Sequence, residues 1–238
     1  MICRRDNDVG YIGGFMLKYV MFFMCLGFIS SSPIDADTSL ELSVDGIQVI
    51  RLNREVGKNQ IQFVSDAPME KIHGTASDIS GALKLDPAKL EATTGRIVVG
   101  TASMETGIKK RDEHLHSKDW LDVEKFSNIV FEVKALEGVS VKANQMKADI
   151  QATAVGDFTL HGVTKEVKIP VEMTYLLASE TTKKRAPGDF LVVKGKFKIA
   201  LKDFDIAGAR GMVGSRVGTE IDLDANFFGS TVIGDAKE

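Results

Sequence analysis

Four histidines, His73, His114, His116 and His161, are the side chains in this 238-residue sequence best suited to proton transfer or metal binding. His114-x-His116 stands beside Asp112 and Glu113, which is a ligand-rich quartet by composition. On a helix, two residues two positions apart point about 200° away from each other, so they cannot share one ion. On an extended chain they could, with a third ligand brought from elsewhere. The competing reading is a charged helix face on which Arg111 and Asp112 make local ion pairs. A metal-dependent enzyme using His114 and His116 is therefore a minor alternative. No Gly-x-Ser-x-Gly motif offers a nucleophilic serine. The stretch from Gly208 to Gly218 is glycine-rich and carries Arg210 and Arg216. Its backbone N–H groups could meet an anion, but no Gly-Lys-Ser/Thr follows, and such a loop is more often simply a flexible connection. Lys183-Lys184-Arg185 reads as a solvated loop tip. No catalytic constellation is visible, which points to a protein that is not an enzyme.

The elements that must position these side chains alternate with a period of two. Met146, Ala148, Ile150, Ala152 and Ala154 interleave with Lys147, Asp149, Gln151 and Thr153, the pattern of a half-buried strand. The same alternation runs through Val167 to Leu177, Leu191 to Leu201, Ile221 to Phe227, and Ile129 to Val133. Weaker candidates are Ile47–Leu52, Gln60–Ser65, Ile79–Leu85 and Gly95–Ser103. The fold expected is all-β, with about eight or nine antiparallel strands. Their apolar faces can be hidden in a sandwich or in a closed barrel. Pro170 marks a bulge or a locally unpaired position. Thr106 to Phe126 breaks the alternation and predicts two short helices, the second capped by Ser117 and beginning at Lys118.

Composition narrows the function classes. Thirty Lys+Arg against thirty-three Asp+Glu give a net charge of −3, so there is no global positive field to hold nucleic acid. No apolar run reaches the ~18–20 residues needed to span a bilayer as a helix. Tyr19 to Ile29 is apolar and uncharged, preceded by Lys18 and followed by Ser30-Ser31-Ser32. That pattern predicts a secretory signal over residues 1–36, started from Met1 or Met16, and a single domain over 37–238 that is periplasmic or secreted. Cys3 and Cys25 both fall in the signal, so the mature chain would hold no disulfide and no thiolate metal site.

The inner face of the expected sheet is the most informative feature. Ala148, Ala152, Ala154 and Gly156 share one strand, and Gly195 and Ala225 lie on others. Small side chains leave volume, and a barrel of about eight strands either fills it or holds one small ligand. Phe131, Phe158, Phe197 and Phe227 could occupy the space instead. Pattern alone leaves both outcomes open.

Three ordered motifs carry a resemblance. Arg111-Asp112-x-His114-Leu115 is followed by Ser117-x-Asp119-Trp120-Leu121 and then Ile129-Val130-Phe131. Gly156-Asp-Phe-Thr-Leu-His-Gly-Val-Thr-Lys165 is the second, and Leu201-Lys-Asp-Phe-Asp-Ile206 the third. From about Gly46 to Phe228 the chain resembles the YceI-like family, exported bacterial proteins with a lipocalin-like barrel that bind polyisoprenoid and related lipids. The resemblance implies an antiparallel lipocalin-like barrel of about eight strands with one or two short helices at one end. It implies an apolar tail among Phe63, Ile97, Val99, Ile129, Phe131, Ile150, Ala152, Phe158, Val171, Met173, Tyr175, Phe197, Leu223 and Phe227. A polar or phosphate head would lie near the open end, met by Arg111, His114 and His161. The implied partner is an amphiphilic lipid of isoprenoid type, with a fatty acid or fatty amide as the alternative. Transient membrane contact and a homodimer are compatible with this reading, and no cofactor is implied.

Overall fold

The structure, a computed structural model, describes residues 38–231. The segment 1–36 expected to be a signal, with Cys3 and Cys25, lies outside the described residues. Ten strands form one antiparallel sheet. In chain order they are β1 (Gln48–Leu52), β2 (Gln60–Asp66), β3 (Lys71–Ala76), β4 (Ile79–Leu85), β5 (Thr94–Gly100), β6 (Asn128–Ala143), β7 (Lys147–Leu160), β8 (Val163–Leu176), β9 (Phe190–Ala200) and β10 (Glu220–Ser230). The ladder runs β1-β4-β5-β6-β7-β8-β9-β10 and closes when β10 pairs with β1 through Arg51↔Ser230 and Leu52↔Gly229. Eight strands thus make the barrel. The first half of β10, Ile221 to Asn226, pairs with β2 instead, so the β2–β3 hairpin extends the wall along the same edge.

Local chemistry explains the joints. His161 and Gly162 both have positive φ (52° and 77°), which makes the two-residue β7–β8 turn compatible with the twist of its strands. A Cβ on Gly162 would stand 2.5 Å from the Phe126 ring, so glycine is needed there for space as well. In β6 the register shifts between Val133 and Ala135 and again between Glu137 and Ser140. These bulges turn both Val133 and Leu136 inward. The β8–β9 ladder covers only Val171 to Leu176 against Gly195 to Phe190. It stops beside Pro170, which has no N–H to donate.

The sequence expectation of two helices needs correction. Among the described residues there is one α-helix, α1 (Lys109–His116). Ser117 ends α1 rather than starting a second helix: its amide and its hydroxyl both donate to His114 O, at 3.0 and 2.7 Å. The chain then folds back, with Leu121, Asp122 and Val123 amides donating to Leu115, Ser117 and His116 carbonyls. Thr101–Ser103, expected as the end of a strand, is a single 3-10 turn.

The inside of the barrel has two characters. At the end away from α1, Leu40, Ile50, Leu85, Leu90, Ile150, Tyr175 and Leu191 are at most 1% exposed and belong to one buried cluster. Tyr175 is pinned there, its hydroxyl donating to Asp189 Oδ2 at 2.8 Å. Burial, the hydrogen bond and the Asp189 charge together push the phenol pKa up. Toward α1 the core loosens around Phe63, Phe158, Phe204 and Leu121. Outside, cross-strand ion pairs such as Lys196–Asp224 and Lys198–Asp222 follow the β9–β10 register and keep that face polar.

Candidate functional site

Two apolar cavities lie inside the protein. The first has a volume of about 120 Å³ and lies among strands β1–β10 and the residues leading out of β5. Its wall is made of aliphatic, aromatic and glycine residues, with Thr93 the single exception carrying a side-chain oxygen or nitrogen. Thr93 is 1% exposed, and its hydroxyl has no hydrogen-bond partner among the described residues. A buried unpaired hydroxyl of this kind costs about 1–3 kcal/mol. The second cavity has a volume of about 190 Å³ and lies between the barrel, α1 and the Gly208–Gly218 loop. Met104, Ile129, Phe158 and Leu223 border both cavities and form the partition between them. Phe158 is held there by edge-to-face contacts with Phe197 (centroids 5.9 Å apart) and Phe204 (5.6 Å).

The mouth of the second cavity is polar. Glu70, Arg111, His114 and Arg216 border it beside the apolar Trp120, Leu121 and Ile221. Arg111 Nη1 donates to Glu70 Oε1 at 2.8 Å, tying α1 to the β2–β3 turn. Its Nε donates to Thr106 Oγ1 at 2.8 Å. Asp112 Oδ1 accepts from the Thr106 amide (2.7 Å) and hydroxyl (2.6 Å). Desolvation raises the Asp112 pKa, but these hydrogen bonds, with His116 and Arg111 nearby, outweigh it and leave the carboxyl below its ordinary range. Trp120 lies so close to Gly208 that a Cβ there would come within 2.6 Å of the ring, which fixes the loop against α1.

Of the expected tail contacts, Ile97, Val99, Ile129, Phe131, Phe158, Val171, Met173, Phe197, Leu223 and Phe227 border the first cavity. Phe63 borders the second. Three others border neither. Ile150 and Tyr175 are buried in the cluster with Leu40, Leu85 and Leu90, while their cross-strand neighbours Met173 and Leu191 border the first cavity. Ala152 instead borders a polar depression on the outside, with Pro170 and Gly195, where the β8–β9 ladder stops. Of the expected head-group residues, Arg111 and His114 border the second cavity, but His161 borders neither. Its Nδ1 lies 3.2 Å from Phe204 O and its ring meets Phe126 edge-on at 4.6 Å, so it holds a turn. His116 Nε2 is 2.7 Å from Met104 O while His114 faces the second cavity, so the two imidazoles have separate partners. No cluster of three or more metal-ligating side chains occurs among the described residues. Among the lining residues that sequence pattern missed are Thr93 and Met104. Thr93 and Met104 sit at strand-end turns, where alternation carries no signal.

An eight-stranded antiparallel barrel with an internal apolar lumen defines the class of lipocalin-like barrels. The YceI-like domain matches residues 55–227, and the chain belongs to the YceI-like family. A UPF0312 protein of Pseudomonas savastanoi pv. phaseolicola is 40% identical over 98 residues, 41% of this chain and 47% of that protein. One from Pseudomonas fluorescens is 42% identical over 100 residues, 41% and 48% of the two chains. The matched stretch thus spans about half the length of these curated relatives. Among solved structures, Burkholderia cenocepacia BcnA is 21% identical, with a TM-score of 0.55, over 72% of this chain and 96% of its own. A polyisoprenoid binding domain from Saccharophagus degradans is 14% identical, with a TM-score of 0.54, over 78% and 99%. These two share the fold.

Proposed function

We propose that this protein is an exported, non-catalytic carrier that encloses the chain of an isoprenoid-type lipid for transport, storage or sequestration. The guest would be a polyprenyl chain, an isoprenoid quinone or a polyprenyl phosphate. The observation that carries the reading is the wall of the first cavity, apolar at every side chain except Thr93 and divided from the second apolar cavity only by four shared residues. Family membership supports it, as does the fold shared with a domain described as polyisoprenoid-binding. Export, to the periplasm or beyond, is supported by Lys18 and the apolar run Tyr19 to Ile29.

Energetics and size set the terms of binding. Each CH₂ taken from water contributes about 0.8 kcal/mol, so ten carbons give about 8 kcal/mol gross, less the cost of ordering chain and protein. An apolar void of about 150 Å³ holds a benzene. A prenyl chain needs more room than either cavity offers, so enclosing it would require the lumen to widen, for which Met104, Met173 and Phe158 are the side chains placed to rotate. Methionine's flexible thioether suits that task. Ile97, Val99, Ile129, Phe131, Val171, Phe197, Leu223 and Phe227 would line the chain, with Phe63 in the second cavity. Arg111 and His114 would meet whatever group emerges at the mouth. A fatty acid or fatty amide is the second reading, favoured by the narrowness of both cavities, since an unbranched chain is slimmer than a methyl-branched one.

The test is gentle purification of the exported protein, organic extraction and mass spectrometry of the extract. Stoichiometric prenyl lipid is the expected result. A stoichiometric fatty species would promote the second reading, and protein that neither carries nor takes up lipid would contradict both.

A further inference from the structure

We propose that Thr93 is the hydrogen-bonding anchor of the lumen, holding an uncharged oxygen of the guest (a hydroxyl, carbonyl or amide) deep inside the barrel. The inference rests on the lumen-binding reading above and narrows it to a ligand class and an orientation.

Among the side chains bordering the first cavity, Thr93 alone carries an oxygen or nitrogen. Its backbone is already satisfied, the amide donating to Leu90 O at 3.0 Å, so the hydroxyl is the spare group. That hydroxyl is buried and has no partner among the described residues. The other buried unpaired side-chain atoms, on Asn59, Thr101 and Asn226, border neither apolar cavity. Packing alone would be served by valine, which has the same branched shape and no hydroxyl to leave unpaired. Buried polar groups are almost always paired, by protein, water or ligand. A threonine hydroxyl both donates and accepts, so it fits an alcohol, a carbonyl or an amide equally. A charged head does not fit beside it, because no cationic side chain borders the first cavity and an uncompensated charge there is strongly disfavoured.

Position fixes the orientation. Thr93 follows the 3-10 turn Leu90–Ala92 and leads into β5, whose far end, Gly100, is the end from which the chain continues toward α1. A guest with its neutral oxygen on Thr93 therefore runs its hydrocarbon past Phe158 toward the second cavity. The cationic mouth then meets the chain's other end rather than its head.

The experiment compares two probes, trans,trans-farnesol and the hydrocarbon of the same skeleton lacking the hydroxyl. Their affinities are measured for the wild type, Thr93→Val and Thr93→Ser. The wild type should favour the alcohol about tenfold, the worth of one net hydrogen bond. Thr93→Val should bring the ratio to about one by weakening the alcohol alone, with hydrocarbon binding unchanged or tighter and the empty protein no less stable. Thr93→Ser should restore most of the preference, which a merely structural role for Thr93 would not do. A wild type that binds both probes equally, or an alcohol preference that survives in Thr93→Val, overturns the anchor while leaving the lumen reading intact. A wild type that binds neither probe overturns both.

Discussion

The rings of Phe158 and Phe197 meet edge to face, with centroids 5.9 Å apart, at the point where the lumen divides into two cavities. Phe158 borders both, so this contact is part of the wall between them. Removing the ring joins the cavities and gives up the packing that holds the partition.

Phe158→Ala should therefore lower stability by about 3–5 kcal/mol while lengthening the chain that can be enclosed. Urea unfolding reads the first effect, and a series of prenyl alcohols of increasing length reads the second. The variant should retain longer members of the series better than the wild type does. A variant that is destabilised with an unchanged length profile would mean that Phe158 does not divide the binding space.

How far the sequence foretold this arrangement depends on the residue. Alternation located nine of the ten strands, including β8 and β10. It missed β3, where Gly74 and Ala76 give the inward face too little apolar contrast. It read Ile129, Phe131 and Val133 but not the full length of β6, because two bulges shift the inward set to Leu136. It placed Ile150 and Tyr175 on the correct face, but they pack with Leu40 and the Leu90 turn, which come from segments far away in sequence, rather than against the cavity. Ser117 was read as a start signal because serine caps helix beginnings, whereas its hydroxyl bonds backward to His114 O. Thr93 was invisible for a different reason: an unpaired hydroxyl is a property of its surroundings.

Tyr175→Phe separates fold stability from lipid binding. It removes the donor to Asp189 while leaving Asp189 Oδ1 its bond from the Ala178 amide at 2.7 Å. Stability should fall by about 1–2 kcal/mol, and lipid affinity should not change because Tyr175 borders neither cavity. Thermal unfolding and a farnesol titration check the two halves. A matching loss of affinity would place the guest deeper than the cavities reach.

Arg111→Met tests the tie between α1 and the β2–β3 turn. The Arg111 side chain is 26% exposed and that of Glu70 is 41%, so the ion pair is worth about 1 kcal/mol or less. The global effect should be small and the local one large. Faster lipid exchange, together with faster amide exchange in α1, is the expected outcome. Unchanged exchange of both would show that the pair does not guard the mouth.

Asp112 predicts an acid limit for the same region. Folding lowers its pKa, so the native state binds the proton more weakly than the unfolded chain does. The stability that this adds is complete above the ordinary Asp value of about 3.9 and is lost as pH falls through the lower native value. The α1 amides and the Thr106 amide should stay protected down to that range and open below it. Asp112→Asn should remove the transition, as read by hydrogen exchange against pH. Opening of α1 near neutral pH would contradict the assignment.

The central claim is that the guest's hydrocarbon lies inside the barrel, and a blocked lumen tests it most directly. Ala154 is 4% exposed and borders the first cavity, unlike Ala152. Ala154→Phe adds a ring there, at an overpacking cost of about 1–3 kcal/mol that the barrel should survive. Farnesol is titrated into wild type and variant, with circular dichroism confirming the sheet in each. The account predicts saturable binding to the wild type and none to the variant. Equal binding to a correctly folded Ala154→Phe protein would put the lipid somewhere other than the lumen.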